Sequence, residues 1–422
     1  MPLEKLLDEL KAQLAHLDAA GTSKGREQVV VAVKPPQRSR GPRFLLDGFA
    51  DREFIRMNSN SYLGLSLRHE LIEAEEQAAQ AYGVGPGAVR FISGTYEPHV
   101  KLEQALADFH GRPAAMVAGS AYTAVAGVLF SFSTPETVLV SDELNHNCIV
   151  NGMKLAPHKA RKVYGHLDLR ALEQQLEESL GQAEAALVIT DGVFSMRGDH
   201  APVDRIAELC RKYDPRFARG CLLVVDDSHG VGGFGTTGRG TEEVTGGRAD
   251  VLVGTLGKAM GVNGGYIATA APLIRWLREK NPFYIYSNPI APGEAAAALA
   301  ALELIRGGEG VALLSHLRAV TQRFREGLVR LGFETIPGQH PVVPLLVRDT
   351  ERTAALVAFL RENGVLATGL NYPVVPRGEQ LIRFQVSADH TDADIDAVLS
   401  AADPVPGLGG PHRCGHRRGA VG

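Results

Sequence analysis

Leu3, Leu6, Leu7, Leu10, Leu14 and Leu17 recur at helical spacing, which predicts an amphipathic helix over residues 3–20 with Gly21 as its stop. Residues 21–42 carry Gly, Ser, Lys and the Pro35-Pro36 pair and predict an extended arm, of the kind that packs on a neighbour in an oligomer. From Phe44 to Gly293 short apolar runs alternate with helical stretches. The runs include Thr137–Val140, Ala186–Thr190, Cys221–Val225, Val251–Val253 and Tyr266–Ala268, and the helices include Leu169–Leu180 and Val203–Lys212. Such alternation predicts an α/β domain with a mostly parallel sheet. Ligands of these sheets sit beyond the carboxyl ends of the strands, so the residues just after each run carry the interest. Glu294–Arg306 is an Ala-rich helix long enough to bridge two domains. Helices at 311–331, 350–363 and 391–401, strands near Pro344–Val347 and Leu381–Val386, and a segment Val365–Pro376 then predict a smaller α+β domain.

The length of 422 residues suits two to three domains at about 150 residues each. The expected division is an N-terminal helix and arm over 1–57, a large domain over 58–293, a small domain over 294–402 and a disordered tail over 403–422. A net charge of −4 supplies no basic field for nucleic acid or an anionic membrane. Cys148, Cys210, Cys221 and Cys414 form no CxxC pair, which speaks against a disulfide framework or structural zinc and fits a reducing cytoplasm. The opening MPLEKLLDEL has charges where a signal peptide needs an apolar run. Pro113 to Pro135 carries no charge, but its Ala, Gly, Ser and Thr content predicts a buried, tightly packed helix plus turn rather than a membrane span. His412, Cys414 and His416 are too few and too terminal to predict a metal site.

Two constellations carry candidate chemistry. In Val224-Val225-Asp226-Asp227-Ser228-His229-Gly230 an apolar strand ends in an acid that can hold a heterocyclic nitrogen protonated; a solvated turn is the plain alternative. In Gly254-Thr255-Leu256-Gly257-Lys258-Ala259-Met260-Gly261 a lysine follows a strand in a Gly-rich turn, where partial burial makes an amine nucleophilic; a surface lysine is the plain alternative. A Walker-type phosphate loop fails, because Ala259 stands where Ser or Thr is required. Asp226 and Lys258 are one strand–helix unit apart, and together they are the two groups that pyridoxal phosphate needs from its protein. Gly119, Ser120 and Ala121 open a helical run whose free N–H groups suit a phosphate. Arg383 follows a short apolar run, and its guanidinium fork fits a carboxylate.

With Asn60-Ser61-Tyr62-Leu63-Gly64-Leu65, Arg90-Phe91-Ile92-Ser93-Gly94-Thr95, Leu144-Asn145-His146-Asn147, Thr190-Asp191-Gly192-Val193-Phe194-Ser195-Met196 and Ile382-Arg383-Phe384-Gln385-Val386-Ser387-Ala388, these segments resemble the α-oxoamine synthase family. That family lies within the fold type I, aspartate aminotransferase-like pyridoxal phosphate enzymes, and the resemblance runs from about Asn58 to Thr391. Within it the DGVFSM, DDSHGVG and Tyr372-Pro373-Val374-Val375-Pro376 stretches look most like glycine C-acetyltransferases. The resemblance implies a large mostly parallel-sheet domain, a smaller α+β domain, and pyridoxal 5'-phosphate held as a covalent aldimine on Lys258. It implies Asp226 on the pyridine nitrogen, His229 and Ser195 on the ring hydroxyl, and His146 on the ring face. It implies Ala121, Tyr122, Thr255 and, from a second subunit, Ser287 on the phosphate, with Asn60 and Arg383 on the amino-acid substrate.

The implied reaction joins glycine or a related amino acid to an acyl-CoA in a homodimer with shared active sites, in either direction. The alternatives are 8-amino-7-oxononanoate synthesis or another decarboxylating aminoketone synthesis, a plain aminotransferase without CoA, and a catalytically silent partner subunit. The last would lack the lysine, and Lys258 is present.

Overall fold

Strands buried on both faces read as unbroken apolar runs, and the centre of this molecule is built that way. The computed structural model describes residues 2–403 except Gly21, Lys24 and Pro373. The stop expected at Gly21, Pro373 and the 404–422 tail with His412, Cys414 and His416 lie outside the described residues. The first helix, Pro2–Ala19, is followed by β1 (Val30–Lys34), which pairs antiparallel with β2 (Arg43–Leu46). The expected extended arm therefore holds a hairpin strand. β3 (Ile55–Arg56) precedes the helices His69–Tyr82 and Glu97–Phe109.

The main sheet contains β4 (Ala114–Ala118), β5 (Thr137–Asp142), β6 (Ala160–Tyr164), β7 (Ala185–Asp191), β8 (Cys221–Asp226), β9 (Val251–Thr255) and β10 (Gly265–Thr269). Their order is β4-β10-β9-β8-β7-β5-β6, and only β10 runs antiparallel to its neighbours β4 and β9. All five expected runs are strands. The charge-free stretch is different from expectation: β4 and the helix Ala121–Phe132 share it. Ala-rich sequence favours helix, but Ala114–Ala118 pairs residue for residue with β10, and the ladder overrides propensity.

Helices cover both faces. Val125, Leu129, Ile274 and Leu277 build one apolar layer, and Leu172, Leu176, Ile206 and Cys210 build the other. Beyond the 15-residue helix Pro292–Arg306 and the helix Gly308–Arg330 lies a small antiparallel sheet. Its strands are β11 (Val342–Leu346), β13 (Thr368–Leu370) and β14 (Leu381–Gln385), while β12 (Val365–Leu366) pairs parallel with β3. One apolar cluster runs from Met57 and Tyr62 through Leu302 and Ile305 to Ile382 and Phe384. The segment around Met57–Leu65 is thus packed against the strand Leu381–Gln385 through this one core. Among the described residues no helix is long and apolar enough to cross a membrane.

Candidate active site

The parallel strands end in a row. Asp191 closes β7 and Asp226 closes β8, and the two are register partners in the ladder. Thr255 closes β9 on the other side of β8. A tight turn after β9 carries Lys258, and a turn after β5 carries His146. Ala121, Tyr122, His146, Cys148, Asp191, Asp226, His229 and Lys258 line one narrow cleft at this edge. Six of the residues expected from sequence are therefore brought together, with Asp191 and Cys148 added.

Lys258 is half-buried and makes no hydrogen bond or ion pair among the described residues. Burial lowers its amine from the ordinary lysine range; Asp226, Asp191 and Cys148 oppose that, and Arg383 adds to it. Asp226 is buried and accepts from the Ser228 amide at 3.1 Å through Oδ1 and from the Cys148 thiol at 3.4 Å through Oδ2. Burial, followed by the charge of Asp226, pushes the Asp191 carboxyl well above the usual range. Asp191 Oδ2 still accepts the His146 amide at 3.0 Å, which anchors the turn that carries the imidazole. Burial lowers His146 despite Asp226, with Lys258 adding to the lowering, and its Nδ1 lies 3.0 Å from the Cys148 sulfur. Burial and Asp226 push the Cys148 thiol up, so it remains a thiol. His229 is buried, held neutral chiefly by burial, and its Nδ1 meets Tyr62 Oη at 2.7 Å.

Across the cleft the helix Ala121–Phe132 begins. Ser120 caps it by accepting from the Thr123 amide at 3.1 Å, which leaves the Ala121 and Tyr122 amides unused among the described residues. A Cβ on Gly265 would stand 2.2 Å from the Ala121 nitrogen, so only glycine lets β10 pass this close to the helix start. An unengaged amine, a strand-end carboxylate and free helix N-terminal amides are the donor set that pyridoxal phosphate requires for its aldehyde, ring nitrogen and phosphate. The residues present fit the group.

The remaining expected residues fall into other settings. Arg383 on β14 donates from Nη1 to the Ser195 carbonyl at 3.1 Å, while its buried Nε has no partner. Asn60 accepts from the amide of Gln385. The Thr255 hydroxyl donates to the Gly264 carbonyl at 3.2 Å. Ser287 is exposed on the segment after the short helix Pro282–Ile285 and does not line the cleft. Sequence reasoning gave no role to Asp191, Cys148, Tyr62, Gln385 or His340. Asp191 had a usable signal, since it ends an apolar run as Asp226 does; the others meet the site only through the fold.

Residues 52–401 match the family model of aminotransferases of class I and II. The chain is 40% identical to the 8-amino-7-oxononanoate synthase of Symbiobacterium thermophilum over 94% of this chain and 97% of that one. It is 37% identical to the mitochondrial 2-amino-3-ketobutyrate coenzyme A ligase of Homo sapiens over 97% of this chain and 94% of that one. A solved serine palmitoyltransferase carrying a pyridoxal phosphate internal aldimine superposes with a TM-score of 0.84 at 26% identity, covering 94% of this chain and 97% of that one. The chain belongs to the aminotransferase class I and II family and, within it, to the pyridoxal phosphate-dependent acyltransferases called α-oxoamine synthases.

Proposed function

We propose that the chain is an acyl-CoA:amino acid C-acyltransferase of the glycine C-acetyltransferase type, interconverting glycine plus acetyl-CoA and 2-amino-3-oxobutanoate plus CoA. The unpartnered Lys258 amine sharing one cleft with Asp226 carries the cofactor chemistry of this reading, and the 37% identity to 2-amino-3-ketobutyrate coenzyme A ligase supports glycine and acetyl-CoA as its substrates. Lys258 would hold the cofactor aldehyde and Asp226 its ring nitrogen. The Ala121 and Tyr122 amides, Thr255 and Ser287 of the partner subunit would hold the phosphate. His146 would cover the ring face, and His229 and Ser195 would meet the ring oxygen. The bound cofactor supplies an electron sink for the substrate Cα.

The chain's own residues do the rest. Arg383 has an unpartnered Nε in a buried setting, which suits a bidentate bond to the amino-acid carboxylate, with Asn60 beside it. Lys258, once the substrate amine has displaced it, would be a free amine pushed toward neutrality by burial and able to take the Cα proton at Nζ. The new C–C bond forms between Cα and the thioester carbonyl, and CoA leaves as the thiol.

A homodimer belongs to this reading. Leu3, Leu6, Leu7, Leu10, Leu14 and Leu17 are all exposed on the first helix, Phe91 and Ile92 are about two-thirds exposed, and Tyr286 beside Ser287 is 81% exposed. Apolar surface on this scale favours a second copy as its cover. A cytoplasmic location is also part of the reading, supported by the buried free thiols Cys148, Cys210 and Cys221.

Purified protein with glycine and acetyl-CoA is expected to show a visible cofactor band and release free thiol. A cofactor band without thiol release under these conditions rejects the acetyl-transferring version. A second reading, 8-amino-7-oxononanoate synthesis, is favoured by the 40% identical relative. It predicts carbon dioxide release from an amino acid such as alanine with a longer acyl-CoA.

A further inference from the structure

Tyr62 belongs to a turn far in sequence from the strands that build the cleft. Its Oη nevertheless lies 2.7 Å from Nδ1 of His229, and both side chains are buried. The direction of this bond follows from chemistry. Burial pushes the Tyr62 phenol up, so it keeps its proton. Burial first, with the charges of Lys258 and Arg383 adding to it, keeps His229 neutral, and a neutral imidazole has a single N–H. The other acceptor near the phenol, Asn60 Oδ1, is 3.5 Å away and already receives the Gln385 amide. The Tyr62 proton therefore goes to Nδ1, and the His229 proton sits on Nε2.

The backbone of His229 is fixed as well. Its carbonyl accepts from His340 Nε2 at 2.8 Å, and His340 Nδ1 accepts from the Val342 amide at 3.1 Å. An amide only donates and a carbonyl only accepts, so neutral His340 carries its proton on Nε2. The Tyr62 ring packs edge-on against His340 with centroids 5.3 Å apart, and its carbonyl accepts the Ala388 amide at 2.8 Å. His229 is held at ring and backbone by residues 167 positions before it and 111 positions after it.

We infer that Tyr62 is a positioning residue that fixes His229 in the Nε2–H tautomer, so that the imidazole presents a donor to the cleft. The inference rests on the reading of His229 as the partner of the cofactor's ring oxygen. A donor stabilises that oxygen when it is anionic; a bare nitrogen lone pair repels it.

The test is a pH titration of the visible absorbance of the reconstituted holoenzyme, read with cofactor stoichiometry and Tm. The deprotonated form carries the fuller charge on the ring oxygen and needs the donor most. Tyr62→Phe frees Nδ1 to take the proton, so the midpoint is expected to move to higher pH by about 0.5–1 unit. His229→Gln offers a donor near the Nε2 position with no tautomer to fix, and in that background Tyr62→Phe is expected to add no shift. His229→Asn lacks the distal donor and is expected to shift the midpoint by itself. An unmoved midpoint in Y62F with wild-type Tm and stoichiometry, while H229N does shift it, overturns the inference alone. An equal Y62F shift in the H229Q background also overturns it. An unmoved midpoint in H229N overturns the ring-oxygen reading of His229 and the inference with it.

Discussion

His146 and His166 follow β5 and β6, neighbouring parallel strands of one sheet, at the same edge. Their surroundings have opposite consequences. His146 faces a cleft with Lys258 in it and is lowered by burial. His166 is bolted between two carboxylates, with Nδ1 3.1 Å from Asp142 and Nε2 3.2 Å from Asp199, and stacks edge-on against Phe194 at 4.4 Å. Burial alone would lower it, but the two carboxylate bonds win and raise it to about 9. An ionisable group whose bonding capacity is used up inside the protein is structural. One kept neutral with capacity to spare, beside others of the same kind, is waiting for a ligand.

The contrast is broken most severely at the unpaired end. Lys258→Ala is expected to cut turnover by about 10³-fold or more, because it removes both a cofactor anchor and a general base. The melting temperature of the cofactor-free protein should stay near wild type, since no described residue loses a bond. Thiol release compared with circular dichroism melting checks both halves, and substantial retained turnover rejects the lysine assignment.

The histidine pair gives the sharper comparison. His166→Ala leaves the fully buried side chain of Asp142 without its cation and is expected to cost about 3 kcal/mol in denaturant unfolding. His146→Ala should cost far less stability but lower turnover by about 10²-fold. Equal stability losses in the two variants would remove the distinction. Arg383→Ala is expected to raise the amino-acid KM by about 30-fold with a smaller change in kcat, as loss of one charge-assisted bond requires. An unchanged KM takes Arg383 out of the carboxylate site.

The strand-end part of this arrangement is legible in the sequence because it is local. An apolar run followed by Asp, and another followed by Thr and then Lys in a Gly-rich turn, place Asp226 and Lys258 at one sheet edge by topology alone. β4 was hidden because its alanines carry helix propensity and only pairing with β10 makes them a strand. β6 was hidden because, at the sheet edge, Arg161 and Lys162 interrupt its apolar pattern. Asn60 draws its role from resemblance and Arg383 from resemblance and its place after an apolar run, while their contacts with Gln385 and the Ser195 carbonyl are set by long-range packing. The Tyr62–His229 and His340–His229 bonds span more than a hundred residues each, and no spacing rule reaches that far.

The paired histidine also leaves a signature in pH. An unfolded histidine titrates near 6.5, whereas folded His166 is raised to about 9. Below 6.5 both states are protonated and the bolt contributes in full. Between 6.5 and 9 the unfolded chain releases its proton while the folded one keeps it, so stability falls as pH rises and levels off above 9. With solvent screening of a partly accessible side chain, the loss is on the order of 1–2 kcal/mol. Other groups titrate nearby: the buried Asp227 carboxyl, pushed up to about 7 chiefly by burial, also loses stability as pH rises, but mostly below neutrality. His166→Gln cannot titrate and keeps the Asp227 contribution, so subtracting its unfolding curve from wild type isolates the bolt. The difference should shrink steadily from pH 6.5 to 9. A difference that stays flat across this window means that His166 is not charged in the fold, and it would then belong with His146 rather than stand against it.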